Sequence, residues 1–352
     1  MVAANEVDDH KLMYHPLRVG EWNEKGDCFP VYVEIGPTKR CNHRCTYCGL
    51  DWFPYSNDDF DRETLLNALD NMAENGVKSI MYAGEGEPLL HKDIVEFIQR
   101  AKKNGMGVSV TTNGVLFKKE MADETLPYLT WIRFSVDAGD REVYAAVHKT
   151  KPDDYDKVLE NIAYATKVKK EKKLPVEIGV QALLIPETMK GIESLVLKAR
   201  RAGVDNIQIK PYSQHPLSLN KYVVDYHEYG GLEPELTKHQ TKDFQVWFRK
   251  NNMRRIQEGP DYSCCYGLPF FALIDANADI IPCNLYYNNQ EFTYGNLKEQ
   301  SFAEIWNSEK RQEVIKKINH NGIQVCRESC RLDVINRYLH RLTVPKESDR
   351  FL

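Results

Sequence analysis

The sequence lacks a long apolar run and lacks an excess of charge of one sign. Its first residues, MVAANEVDDHKLMYHPLRV, do not show the basic-then-apolar order of a signal peptide. No apolar run approaches the roughly 20 residues that span a bilayer. The formal net charge is -4, with 47 Lys and Arg against 51 Asp and Glu. We therefore predict a cytoplasmic protein with neither a membrane nor a nucleic acid as partner.

Disulfides are also not expected, because a reducing compartment keeps thiols free. The chain nevertheless has nine cysteines in 352 residues, and most of them are clustered. Clustered cysteines in such a compartment indicate metal binding or catalysis. The length indicates one sizeable domain and a smaller one.

Short β-rich runs alternate with helical patterns between about residues 30 and 212, as in repeated βα units. The helical patterns place apolar residues on one face, for example at Leu65, Leu69 and Met72. A curved parallel sheet with helices outside is therefore predicted. The six predicted strands are VYVEIG from Val31, SIMYAG from Ser79, GVSVTT from Gly107, TWIRFSV from Thr130, VEIGVQALLI from Val176 and NIQIK from Asn206.

Three cysteines follow the first predicted strand within one loop, Cys41-Asn-His-Arg-Cys45-Thr-Tyr-Cys48. A structural zinc site needs four ligands, whereas three thiolates on a cubane leave one iron open to a cofactor or substrate. His43 could complete a zinc site, but its position between the first two cysteines predicts strained geometry. The spacing therefore favours an open [4Fe-4S] cluster.

This CxxxCxxC pattern, with Tyr47 before the third cysteine, resembles the signature of the radical S-adenosylmethionine superfamily. The resemblance implies a partial (β/α)6 TIM-like barrel. It also implies that the cofactor's amino and carboxylate groups chelate the open iron, and that reductive cleavage of S-adenosylmethionine yields a 5′-deoxyadenosyl radical. The cofactor would carry the difficult chemistry, and the protein would supply orientation and exclusion of water.

Four features stand where the family has its cofactor contacts. They are Tyr47, the segment Gly86-Glu87-Pro88, the segment Thr112-Asn113-Gly114, and the pair Ser135 and Asp137. Glu85 replaces the first glycine of the family's GGEP motif, which holds the methionyl amino group. Each motif alone would be a turn or a strand-end cap, and their order along the strands is what supports the resemblance. The implied cofactor-binding residues are Tyr47, Gly86, Glu87, Pro88, Asn113, Ser135 and Asp137.

A second set of four cysteines lies near the C-terminus: Cys265, Cys283, Cys326 and Cys330. Their region resembles the twitch or SPASM extension, which binds auxiliary [4Fe-4S] clusters, and we predict one auxiliary cluster. It differs from the family at Ala278, where glycine is usual, and in the three residues between the last two cysteines. Cys264 could replace Cys265 as ligand, and zinc could replace the cluster.

We predict four segments. Residues 1–29 form an N-terminal extension, 30–235 the barrel, 236–262 a linker helix, and 263–352 a small twitch/SPASM-like iron-sulfur domain with a C-terminal tail.

A cluster with four thiolate ligands has no open site, which favours a role in electron transfer or support. It could accept the electron that remains when hydrogen abstraction and proton loss oxidise an alcohol. The resemblance to twitch enzymes implies a dehydrogenase acting on a sugar-like or cyclitol alcohol. An external one-electron donor such as flavodoxin or ferredoxin is the other implied partner.

Substrate contacts are expected from loops over the barrel mouth. The candidate catalytic residues are Lys210, Tyr212 and His215, since a Lys or His could take the hydroxyl proton. Asp51, Trp52, Tyr55 and Gln181 are further candidates for contact with the substrate.

Other functions stay open. These are epimerisation or decarboxylation of a small sugar or nucleoside, with Cys28 or Cys264 as possible hydrogen donor, and peptide maturation. Only some 30 residues precede the first strand, which is small for a leader-binding domain. A non-enzymatic iron-sulfur or zinc module, acting as a sensor or scaffold, is the remaining alternative.

Overall fold

The computed structural model describes residues 10–351, so residues 1–9 of the predicted extension and residue 352 of the predicted tail lie outside the described residues. The chain forms a mixed α/β structure with one continuous sheet. Its strands are β1 Tyr32–Ile35, β2 Ser79–Tyr82, β3 Gly107–Thr112, β4 Trp131–Ser135, β5 Glu177–Leu184, β6 Asn206–Pro211, β7 Gln245–Phe248, β8 Phe271–Ile274, β9 Asp279–Ile281 and β10 Gly295–Asn296.

Thirteen α-helices accompany these strands in the described residues. They are α1 Pro16–Lys25, α2 Arg62–Glu74, α3 Ile94–Lys103, α4 Lys119–Thr125, α5 Arg141–His148, α6 Asp153–Lys172, α7 Pro186–Met189, α8 Ile192–Ala202, α9 Leu232–Thr237, α10 Lys250–Glu258, α11 Phe302–Trp306, α12 Glu309–Asn321 and α13 Asp333–Thr343.

The sheet order is β10-β9-β8-β1-β2-β3-β4-β5-β6-β7. Strands β1 to β7 pair in parallel, and β8 also pairs in parallel with β1. The carboxyl ends of these eight strands therefore meet at one edge. All six predicted strands are present, and the apolar stripes of α2 and α3 are buried against the sheet as predicted. This is the predicted barrel fold with a C-terminal extension.

The predicted linker helix over 236–262 is wrong as a single helix. The segment contains β7, which pairs with β6, and then α10. The charged residues around 237–243 favoured a helix in the sequence. Parallel pairing of β7 with β6 over four residues is a tertiary contact that overrides this local preference.

The C-terminal extension is joined to the barrel sheet through β8. The side chain of Arg311 on α12 is fully buried and makes two 2.8 Å hydrogen bonds to the carboxylate of Asp27. Trp306 donates its indole N–H to the carbonyl of Cys28. Within residues 10–351, no helix is long and apolar enough to cross a membrane.

Candidate active site

The loop that carries Cys41, Cys45 and Cys48 follows β1 and is anchored to the end of α5. The backbone N–H groups of Arg44 and Thr46 donate to the carbonyls of His148 and Val147, at 3.0 and 2.8 Å. The N–H of Cys48 donates to the carbonyl of Cys45, which closes a tight turn. These bonds hold three thiols above the carboxyl ends of the strands, as the sequence predicts.

The three thiols stand in a shielded environment and influence one another. Burial raises the pKa of Cys41 to about 11, and Cys48 contributes to that rise. Burial also raises the pKa of Cys45 well above its usual value, with further contributions from Cys48 and Cys41. Such thiols lose their protons when a metal ion or cluster binds them, as the thiol ligands of metal sites do.

The spacing of donors separates a single metal ion from a cluster. Among residues 10–351, the group of three donors whose ligand atoms lie within 4.8 Å of one another is His43, Cys45 and His148. The end of α5 brings His148 beside His43, and this trio contains only one of the three cysteines of the loop. Tetrahedral zinc needs sulfurs about 3.8 Å apart. Within the described residues no three cysteine sulfurs all lie within 4.8 Å of one another, so neither set is drawn together as a closed zinc site would be.

Gly86 allows the end of β2 to touch the cysteine loop. A Cβ atom at this residue would lie 2.2 Å from the carbonyl oxygen of Thr38 and 2.5 Å from that of Arg40. The next residue, Glu87, donates its backbone N–H to the Arg40 carbonyl at 2.8 Å. The glycine thus provides the close backbone approach on which the position of Cys41 depends.

The carboxylate of Glu87 is occupied by protein donors. Its Oε1 accepts from the hydroxyl of Thr112 at 2.6 Å and from the N–H of Leu89, and its Oε2 accepts from the N–H of Asn113 at 2.8 Å. Asn113 in turn donates to the side chain of Asn42 in the cysteine loop. Glu87 and Asn113 therefore lock β2, β3 and the loop together, and their contact with the cofactor stays a prediction.

Asp137 links the end of β4 to Tyr47. It is buried with φ of 58° and accepts from the Tyr47 hydroxyl at 2.7 Å and from the Leu183 N–H at 2.6 Å. Burial raises the pKa of Asp137 to about 6. Ser135 accepts from Gln181 at 2.8 Å. The structure brings these residues to one side of the cysteine loop. Their contacts with the ribose, carboxylate and adenine of the cofactor stay predictions.

His148 was not predicted. It is fully buried, its Nδ1 lies 3.4 Å from the sulfur of Cys45, and its Nε2 contacts the carbonyl of Val136. Burial lowers its pKa to about 4, so the imidazole is neutral. A lone histidine at the end of a helix gives no sequence signal, because only the fold places it beside Cys45.

The second cysteine set comes together from three segments. Burial raises the pKa of Cys265 to about 12, with contributions from Cys330 and Cys326. Cys283 is affected in the same way by those residues. The choice of Cys265 over Cys264 as ligand stays a prediction. Ala278, between β8 and β9, has φ of 75°, which explains why glycine is usual there.

A cavity of about 680 Å³ opens beside the second set. Lys210 lines it together with Cys283 and Cys330, whereas Tyr212 and His215 are not among its lining residues. The ring nitrogens of His215 are both engaged, one with the Asn284 carbonyl and one with the Leu217 N–H. Lys210 is therefore the predicted catalytic residue that the structure places in the cavity.

The other candidates make contacts within the protein, and their contact with the substrate stays a prediction. Asp51 accepts three hydrogen bonds from Leu219 and Asn220, and Tyr55 lies under the guanidinium of Arg44 at 3.6 Å. Trp52 stacks on His215. Cys28 packs in one apolar cluster with residues of α1, and neither it nor Cys264 lines the cavity.

Comparisons with known proteins agree with this geometry. Residues 35–199 match the family model of the radical SAM superfamily, and residues 264–331 match the SPASM iron-sulfur cluster-binding domain. A probable GTP 3′,8-cyclase of Methanopyrus kandleri is 31% identical over 229 residues, which cover 64% of this chain and 71% of the relative. The tungsten-containing aldehyde ferredoxin oxidoreductase cofactor-modifying protein of Pyrococcus furiosus is 24% identical over 306 residues, 80% of this chain and 81% of the relative.

Two solved structures share the fold. Streptococcus suis SuiB bound to S-adenosylmethionine has a TM-score of 0.66 at 18% identity, covering 85% of this chain and 70% of SuiB. Native anSMEcpe with bound AdoMet has a TM-score of 0.59 at 18% identity, covering 89% of this chain and 95% of that one.

Proposed function

Because the chain belongs to the radical SAM superfamily and carries a SPASM iron-sulfur domain, we propose that it oxidises an alcohol carbon of a small substrate. When bound, the first cluster and S-adenosylmethionine supply a hydrogen-abstracting radical, and the auxiliary cluster supplies an acceptor for the remaining electron. Cys41, Cys45 and Cys48 would hold the first cluster, and Cys265, Cys283, Cys326 and Cys330 the auxiliary one. Gly86, Glu87, Pro88, Asn113, Ser135, Asp137 and Tyr47 would surround the cofactor.

The observation that carries this proposal is the cavity shared by Lys210 and the second cysteine set. Oxidation of an alcohol removes one hydrogen atom, one proton and one electron, so it needs a base and an electron acceptor beside the same substrate. Lys210 Nζ donates to Gln181 at 2.6 Å, and burial lowers the pKa of Lys210 to about 7. Lys210 would take the hydroxyl proton at Nζ.

The cavity volume favours a small molecule over a peptide as substrate. The match to the Methanopyrus cyclase supports a second candidate, which is cyclisation of a purine nucleotide. A flavodoxin or ferredoxin remains the proposed electron donor.

The test uses anaerobically reconstituted protein with dithionite and S-adenosylmethionine. We expect 5′-deoxyadenosine, and deuterium in it when a polyol or sugar phosphate deuterated at the alcohol carbon is oxidised. A control with Cys41, Cys45 and Cys48 changed to Ala should form none. Conversion of GTP to a cyclised product would favour the second candidate, and the absence of 5′-deoxyadenosine would exclude both.

A further inference from the structure

The cavity beside the second cysteine set is lined by positive charge. Among its lining residues in the described chain there is no Asp or Glu, and its cationic side chains are Lys11, Lys210, Arg249, Arg255, Arg327 and Arg331. Two of these arginines are neutralised by neighbours outside the lining: Arg331 pairs with Glu34, and Arg255 pairs with Asp333 at 3.1 Å. With no acidic residue in the lining, the charge of Arg327 gives this part of the cavity a positive potential, which attracts anions.

Arg327 stands at the centre of this arrangement. It lies in the three-residue interval between Cys326 and Cys330, where the family pattern has two residues. Its Nη2 donates to the carbonyl of Ser213 at the end of β6, at 2.6 Å. Burial lowers the pKa of Arg327, while Cys330, Cys283 and Cys48 raise it. The guanidinium is therefore close to both cysteine sets.

Part of this guanidinium is unused within the described residues. The Nε of Arg327 is shielded from solvent and donates to no partner there. A buried donor without a partner costs free energy, and such an atom in a native structure calls for a ligand or an ordered water. The Nε and Nη atoms of arginine together form a planar fork that matches the two oxygens of a carboxylate or phosphate.

We infer that Arg327 binds an anionic group of the substrate, a carboxylate or a phosphate, in the cavity between the two cysteine sets. This inference rests on the proposed function, since it names the class of substrate for the same site. Anchoring at Arg327 would place the rest of the molecule beside Lys210 and between the first and second cysteine sets. Arg249 would add to the attraction without needing to touch the anion.

The test measures binding of two probes, inorganic pyrophosphate and glutarate, to the reconstituted holoenzyme by calorimetry. Because a charged fork is lost, Arg327→Gln should weaken the preferred probe at least about tenfold. Arg327→Lys, which keeps the charge without the fork, should be intermediate. Arg341→Gln, which removes an exposed arginine paired with Asp349, is the control and should bind as the wild type does. The probe that binds more tightly shows whether the site prefers a phosphate or a carboxylate.

Iron content and 5′-deoxyadenosine release are measured on each preparation. The inference holds if affinity, compared at equal iron content, falls in Arg327→Gln and is partly restored in Arg327→Lys. It is overturned if neither probe binds the wild type. It is also overturned if Arg327→Gln binds the probes as tightly as the wild type does, even where the reduction potentials of the clusters change. Lack of 5′-deoxyadenosine in wild-type protein with full iron content would instead refute the proposed function.

Discussion

At the scale of single residues, Gly86 controls where the first cysteine loop can lie. Its missing side chain leaves room for the backbone oxygens of Thr38 and Arg40. Gly86→Ala should force the loop away, lower the free energy of unfolding by about 1–3 kcal/mol and remove one cluster's iron. Chemical denaturation and iron analysis after reconstitution would measure both effects.

The matched control is Gly20→Ala on α1, where a Cβ atom would meet nothing within 4 Å. Alanine is the better helix former, so this variant should be as stable as the wild type or about 0.5–1 kcal/mol more stable. Full iron content in Gly86→Ala would contradict the role assigned to that glycine.

The pKa of Lys210 determines how the proposed substrate oxidation should depend on pH. Burial first, and then the positive charges of Arg133 and Arg249, lower its pKa to about 7, while Asp137 opposes the shift. The neutral amine is the form that accepts a proton, so the rate of product formation should rise as pH increases through about 7.

Lys210→Met should remove that rise and slow oxidation by about 10²–10⁴-fold, the usual contribution of a general base. Release of 5′-deoxyadenosine without substrate serves as the internal control, and it should persist. If the pH profile of the variant follows that of the wild type, another group is the base.

The sequence identifies ligands better than it identifies their surroundings. The first three cysteines are recognisable because their spacing is local, whereas the second set comes from three separate segments that the fold brings together. His148 and Arg327 were not predicted, because one comes to Cys45 through the fold of α5 and the other comes between two sets that are far apart in sequence. Tyr212 and His215 were candidates only by position after β6. They are buried outside the lining of the cavity, and their contact with the substrate stays a prediction.

At the scale of elements, α12 is held to the chain before β1 by one buried ion pair. Arg311 stacks on Trp306 at 3.9 Å and makes two hydrogen bonds to Asp27. Arg311→Met should leave Asp27 without its charged partner and reduce stability by about 3–5 kcal/mol.

The measurement is urea denaturation, with Arg341→Gln as control because its pair is exposed. That control should change stability by less than about 1 kcal/mol. A double variant, Arg311→Met with Asp27→Leu, should recover part of the loss. A loss in Arg311→Met no larger than in the control would show that the pair contributes nothing.

The regular elements follow from periodicity, but the edge strands do not. The six predicted strands alternate with strong helical patterns, whereas β7 follows the six-residue helix α9 and β10 has only two residues. Strands without such flanking patterns are defined by their pairing partners, here β6 and β9, which a local pattern cannot supply. The hairpin turn that leads to β9 was visible only as the exceptional Ala278.

At the scale of the whole molecule, both cysteine sets depend on one sheet. The first follows β1, and β8, which precedes Cys283, pairs with β1 along four residues. Glu85 after β2 adds a further link, because its carboxylate is buried and accepts from the Ala276 N–H at 2.8 Å. The predicted boundary between barrel and C-terminal domain is thus crossed by backbone pairing and by side-chain contacts.

This continuity predicts a single cooperative unfolding transition for residues on both sides of the predicted boundary at 262/263. A chain that ends at residue 262 would expose the edge of β1 and leave the buried Glu34 without Arg331. We expect that chain to aggregate or to bind no first cluster, even though it retains Cys41, Cys45 and Cys48. Calorimetry of the full chain should give one transition, and a truncated chain that folds and holds four irons would show instead that the barrel is independent.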